Sequence, residues 1–309
     1  MIMKMGMKMG MKVDKENDSV QYNDKEHLYI DKKSGLKCIS VTTLIEKFAQ
    51  PFNEHFWSSV KALEELVGAG IFADTKKKLM ITKKFDAKYV AQFNIEAKDF
   101  IKKKAEILQL WKNKNVEACE RGTIIHKMHE DLNLGGSSKE LKRYGLGGKF
   151  KCYTNNVLKI GDQGIYPELL LSRISEDGIF RLAGQADLVI IDGKDVYILD
   201  YKTNKAINKS SYFDINTKKK QMMQYPLNTL QDSNYWHYAV QLSTYAWMIQ
   251  MLDPTLNIAG LMLIHYDHDN KETIYELDYL KNDVERMLGY YKGTLIKEKA
   301  YEKLKPIVY

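Results

Sequence analysis

The sequence predicts an α/β protein: a mixed β-sheet flanked by helices, preceded by an N-terminal hairpin and a helical lobe. Three observations carry that expectation. Residues 116–134 have helical spacing and are followed by three strand-like segments, 164–172, 181–191 and 195–201. A strongly apolar helix then spans 235–252, and a further strand pair, 258–266 and 272–277, comes after it. Helix, three strands, helix and strand in that order describe a sheet that needs cover on both faces.

The elements read as follows. Residues 1–16 are a Met-, Lys- and Gly-rich stretch expected to be a disordered tail, because its lysines interrupt any apolar run before a signal-peptide core forms. Residues 21–31 and 36–41, separated by Lys32, Lys33, Ser34 and Gly35, are expected to make a hairpin. Thr42 or Thr43 then caps a helix that carries Leu44, Ile45 and Phe48 and stops before Pro51. Residues 53–67 repeat apolar positions at helical spacing (Phe56, Trp57, Val60, Leu63), and Gly68 and Gly70 end the helix. Residues 76–114 are basic and mostly helical in pattern, either a solvated face or the wall of a groove for a nucleic-acid backbone.

The helix over 116–134 places Gly122, His126 and Glu130 on one face and ends at Gly135 and Gly136, leaving 135–148 as a loop. Residues 204–233 lack periodicity and include Lys218, Lys219 and Lys220; they are expected to be irregular and mobile until substrate binds. Asp253 and Pro254 close the 235–252 helix, and residues 280–299 make the last one. Residues 17–118 form a hairpin and basic lobe, residues 119–309 the core, and the two one structural unit. No internal repeat is present.

At 309 residues, 35.9 kDa and 44% hydrophobic content, the chain can bury a sizeable core. A formal charge of +7 favours a polyanionic partner. Cys38, Cys119 and Cys152 are widely spaced with no C-x-x-C, as expected of free thiols in the cytoplasm. No run of apolar residues reaches membrane-spanning length, so no membrane association is expected.

The most informative stretch is 184–204. Two apolar runs, 188–191 and 196–199, flank an Asp192-Gly193 turn and read as a β-hairpin. Asp187 begins the first strand and Asp200 ends the second, so the fold-back sets them side by side. Lys202 shares a strand face with Asp200 because side chains alternate with period two. Two carboxylates and an ammonium at one strand end make a cation site with a charge left over for the substrate.

Five short patterns occur in order: Gly122 with His126, Glu168, Gly184 with Asp187, Asp200 with Lys202 and Thr203, and Gln241 with Tyr245. Together they resemble the RecB-like branch of the PD-(D/E)XK nuclease superfamily, with its order G-x-x-x-H, E, G-x-x-D, D-x-K-T, Q-x-x-x-Y. Ser40 to Ile45, Trp111 ahead of Arg121, and Tyr225 to Asn228 resemble the phage-encoded exonucleases of that branch. The resemblance implies a restriction-endonuclease-like core and a metal-dependent DNA exonuclease of recombination, replication or repair, in a host cytoplasm if phage-encoded. It implies Mg²⁺ or Mn²⁺ held by His126, Asp187, Asp200 and the carbonyl of Tyr201. Lys202 would steer the attacking water, and Glu168, Gln241 and Tyr245 would complete the active site. Gly122 would let its helix approach the sheet. The substrate is then DNA, single- or double-stranded, with a free end, and recombination or replication proteins are candidate partners.

Two alternatives stand beside this reading: a structure-specific endonuclease of the same superfamily, and a non-catalytic nucleic-acid-binding protein on a nuclease fold. Intact Asp187, Asp200 and Lys202 argue against the second. Some RecB-like nucleases hold an iron–sulfur cluster on cysteines that follow the last motif; no cysteine follows Cys152, so none is expected here. His126, His129 and Glu130 match neither H-E-x-x-H nor H-x-x-E-H, which sets a zinc-protease site aside. The His265 to Asp269 cluster falls at a turn and is read as structural. Substitution of His129 or His265 is accordingly expected to be near neutral.

Overall fold

The computed structural model describes residues 15–304 except 24–25, 135–149, 154–157, 159–160, 162 and 216. The expected tail, up to residue 14, and the expected loop 135–148 lie outside the described residues.

The chain opens on three short antiparallel strands, β1 (Lys15–Glu16), β2 (Val20–Asn23) and β3 (Leu28–Asp31). Residues 21–31 are thus two strands and not one, divided at a turn where His27 takes a left-handed φ of 49°. The return expected from residue 36 does occur, with Asp31 N–H donating to Leu36 O and Cys38 N–H to Tyr29 O. It is brief, because the next strand, β4 (Ile39–Ser40), leaves for the central sheet. Helix α1 (Val41–Glu46) follows at once; its cap is Ser40, two to three residues earlier than expected, with Oγ accepting from Thr43 N–H.

The lobe is built from α2 (Glu54–Val67), α3 (Ala69–Thr82), α4 (Lys88–Ala91) and the start of α5 (Ala97–Leu134). Asn53 caps α2 through Phe56 N–H, and Gly68, at φ +90°, makes the corner into α3. Phe56, Val60, Leu63, Phe72, Leu79 and Met80 form the lobe's own core. Helix α5 is the main departure from expectation: 38 unbroken residues, about 57 Å at the usual rise, where the sequence suggested two helical segments. Residues 118 and 119, the expected lobe–core boundary, lie inside it.

The central sheet comprises β4, β5 (Gly164–Ile174), β6 (Arg181–Asp192), β7 (Asp195–Lys202), β10 (Asn257–Tyr266) and β11 (Glu272–Leu277). Strand β6 is its spine. One edge pairs antiparallel with β5, and the other pairs parallel with β4 at residues 182–183 and antiparallel with β7 at 188–192. Residues 184–187 fall between those two pairings. Strand β10 runs parallel to β7, and the crossover between them contains α6 (Asn234–Leu252).

One sheet face is covered by α1, α6 and α7 (Lys281–Leu304) over a core that includes Leu182, Val189, Ile198, Leu242, Ile249 and Met287. The other face, with Leu188, Ile190, Leu199 and Tyr201, lies under the end of α5, where His129 stacks on Tyr201 at 3.9 Å between centroids. Residues 204–233 are irregular as expected, yet packed. They form the two-residue strands β8 (Phe213–Asp214) and β9 (Lys219–Lys220), bury Met223 and Leu227, and bond back to the segment after α1 through Gln224 N–H to Phe48 O. Among the described residues no helix is long and apolar enough to cross a membrane.

Candidate active site

A cavity of about 760 Å³ opens beside residues 184–187, the part of β6 left between β4 and β7. Its walls are the far end of α5, the strands β5 to β7, one face of α6, and Tyr22 and Tyr29 from the N-terminal strands. Every residue expected at the site lines it except Tyr201, which reaches it through its backbone.

The hairpin turn explains the two aspartates. Pairing of Asp192 with Asp195 and of Leu188 with Leu199 puts Asp187 and Asp200 at the next step, where the strands part. Both are buried. Asp187 Oδ2 accepts the Tyr201 N–H at 2.8 Å and lies 3.4 Å from His126 Nδ1, while His126 Nε2 is 2.9 Å from Tyr201 O. Asp200 Oδ1 accepts from Gln241 Nε2, and its Oδ2 is ion-paired with Lys202 Nζ. Gln241 Nε2 also reaches Tyr245 Oη at 3.3 Å.

Glu168 takes a left-handed φ of 52° inside β5, opposite Asp187. A non-glycine residue there costs on the order of 1 kcal/mol or more. The result is that its carboxylate joins the ligand atoms of His126 and Asp187, all within 4.8 Å of one another. The tight group is therefore His126, Glu168 and Asp187, whereas Asp200, expected beside His126 and Asp187, is turned to Lys202 and Gln241.

Two glycines in the motifs differ in their need. A Cβ on Gly184 would lie 2.7 Å from Tyr245 Cε1 and 2.9 Å from Val41 Cγ2, so only glycine lets α6 and α1 approach β6 this closely. A Cβ on Gly122 would sit 3.6 Å from Thr203 Oγ1, an ordinary contact. The expected steric reason for Gly122 is not present.

Two residues that position the site went unread in the sequence. Arg121 Nη1 donates to Thr203 O and Tyr266 O, and Nη2 to Asp267 O and Asn270 Oδ1, which rivets α5 across the ends of β7 and β10. Tyr238 places its ring under Lys202 Nζ, 4.8 Å from the centroid, and its hydroxyl donates to Asn204 Oδ1. The spacing from Tyr238 to Gln241, three residues on one helix, was the available signal.

Charge is balanced within the cavity. Burial disfavours the imidazolium of His126, but the adjacent Asp187 more than offsets this and raises its pKa to about 9. Against the pull of burial, His126, Lys202 and the Tyr201 amide hold Asp187 below the usual carboxylate range. For Asp200 burial outweighs the Lys202 ammonium, and the pKa rises to about 6. Lys202 is raised because Asp200 and Asp187 outweigh its own burial. Two carboxylates and an imidazole whose ligand atoms lie within 4.8 Å of one another suit a hard divalent cation.

A mixed sheet flanked by helices, with acids and a lysine gathered where its central strands part, is consistent with the α/β fold of the PD-(D/E)XK nucleases. The chain belongs to the PD-(D/E)XK nuclease superfamily, whose sequence profile matches residues 146–304, just over half of its length. Members of that superfamily use divalent metals. The chain is also similar to two solved structures. One is SSO0001, at 17% identity over 63% of this chain and 69% of that one, with a TM-score of 0.32. The other is a "Putative exonuclease" from Eubacterium rectale, at 11% identity over 86% of this chain and 82% of that one, with a TM-score of 0.35. No curated protein sequence matches the chain.

Proposed function

We propose that the protein is a Mg²⁺- or Mn²⁺-dependent deoxyribonuclease of the RecB-like kind, an exonuclease that works on linear DNA in recombination, replication or repair. The observation that carries this reading is the meeting of His126, Glu168, Asp187, Asp200 and Lys202 in one cavity at the parting of β6 and β7.

Glu168, Asp187 and His126 would hold the cation, with Asp200 and the Tyr201 carbonyl alongside. A bound divalent ion supplies a water of lowered pKa and a counter-charge for the phosphate. Lys202, fixed by Asp200 and Tyr238, orients that water and offsets charge as it develops on the phosphate oxygens. Gln241 and Tyr245 keep Asp200 in place. Tyr22 and Tyr29, stacked at 4.5 Å, close the cavity on the side away from α5.

The preference for ends is supported by the motif resemblance to phage-encoded exonucleases and by the lysine-rich lobe ahead of the site. Every residue from 112 to 120 is exposed, on the part of the helix that runs from lobe to core. The test is incubation of end-labelled linear DNA, single- and double-stranded, and of covalently closed circles, with Mg²⁺ or Mn²⁺. Linear DNA is expected to shorten progressively while closed circles persist. Rapid cutting of circles would make the protein an endonuclease, and no cleavage of any DNA would overturn the reading.

A further inference from the structure

Residues 69–114 hold twelve lysines, no arginine and five carboxylates, a net +7 equal to that of the entire chain. The remainder of the protein is formally neutral, so attraction for a polyanion is concentrated in the lobe.

Beside this charge lies a tract of aromatic side chains, of which Trp57 alone also packs against the lobe's core. Phe52, 67% exposed on the segment between α1 and α2, packs against Trp111 of α5 with ring centroids 6.0 Å apart. Phe52 is a shared wall between two cavities. One, of about 790 Å³, is lined by Trp111, Lys112 and Asn115. The other, of about 620 Å³, contains Trp57, Lys83 and Tyr212. There the Lys83 ammonium stands over the rings of Tyr212 and Trp57, at 4.8 and 5.6 Å. Exposed aromatic surface costs free energy in water, and a contiguous run of it beside lysines matches a chain of unpaired bases on a phosphate backbone.

Helix α5 connects this tract to the cavity. Trp111 and His126 are fifteen residues apart on one rod, about 22 Å along the axis and within about 60° of the same face. That span is about six nucleotides at stacked spacing. The intervening residues 112–120 are exposed, which leaves the route between them open.

We infer that Phe52 and Trp111 form a base-stacking platform for single-stranded nucleic acid, placed about six nucleotides from the site that cuts it. The inference rests on the nuclease reading and adds the form of the substrate: an unpaired strand, since the bases of a duplex have no free faces to offer.

The test is binding of fluorescein-labelled oligonucleotides to the full chain in EDTA, followed by anisotropy, for Trp111→Ala, Phe52→Ala and Trp111→Phe. For a single strand of about 20 nucleotides, each alanine variant is expected to raise Kd roughly ten-fold, with Trp111→Phe close to the parent. A duplex, and a single strand of about four nucleotides, are expected to bind all variants alike. Unchanged single-strand affinity in both alanine variants, with native melting curves, overturns the platform; so does an equal loss for duplex. If Trp111→Ala fails to fold, Phe52→Ala decides, because Phe52 is mostly exposed. Cleavage by the unaltered protein in Mg²⁺ is scored separately. Platform-dependent binding without cleavage refutes the nuclease reading alone, and cleavage without platform dependence refutes this inference alone.

Discussion

The ammonium of Lys202 is clamped between the carboxylate of Asp200 and the ring face of Tyr238. A lysine held on both sides has lost its freedom before any substrate arrives, which is how a positioned charge acts without reorganising. Lys202→Ala is expected to lower kcat by two orders of magnitude or more, about 3 kcal/mol. Tyr238→Ala should lose the roughly 0.5–2 kcal/mol of the cation–π contact, and Tyr238→Phe, which keeps the ring, should stay near the parent rate. Equal losses for both Tyr238 variants in single-turnover assays would place the effect in the hydroxyl and its bond to Asn204.

Metal dependence follows from the donor set. Activity is expected to vanish in excess EDTA and return with Mg²⁺ or Mn²⁺. Asp187→Asn should abolish cleavage while DNA binding holds or tightens, since the substitution removes a ligand and also a charge that repels phosphate. An Asp187→Asn protein that cuts at the parent rate would remove the cation from this site.

The two glycines give a paired test. Gly184→Ala is expected to destabilise the protein by about 1–3 kcal/mol through overpacking against Tyr245 and Val41. Gly122→Ala meets only an ordinary contact and, inside α5, exchanges a poor helix former for the best one, worth up to about 1 kcal/mol. Thermal melting of the two variants should move in opposite directions.

The histidines separate by the kind of damage. His126→Ala should raise the metal concentration needed for activity with little change in melting temperature. His129 and His265, expected from sequence to be dispensable, are buried: one stacks on Tyr201, and the other contacts Asn204 O at 2.6 Å through Nε2. Alanine at either should cost about 1–3 kcal/mol of stability, read as a lower melting temperature at any metal concentration.

The thiols should differ in alkylation. Burial, aided by Asp31, pushes the Cys38 thiol up to about 11, while Cys119 is exposed. A folded-state pKa above the unfolded one means that this contribution to stability is complete below about pH 9 and is lost as pH rises through about 11. Iodoacetamide at pH 8 is expected to label Cys119 and spare Cys38, by peptide mass spectrometry.

The pair Asp187 and Asp200 was legible because a tight Asp192-Gly193 turn sets the register of the strands that carry them. Five spaced patterns also brought Glu168, Gln241 and Tyr245 to the same cavity. The unbroken length of α5 was not legible. Residues 112–120, with two lysines, two asparagines and two glutamates, have no apolar stripe because all of them are exposed. The left-handed turn of Glu168 and the four-point hold of Arg121 were also hidden, since each is imposed by strands distant in sequence.

That bare span gives α5 the character of a lever. A helix hydrogen-bonded along its whole length bends little, so a tilt of the lobe about Arg121 cannot be absorbed before it reaches His126. A proline near residue 116 would break the rod between lobe and core while leaving each end intact.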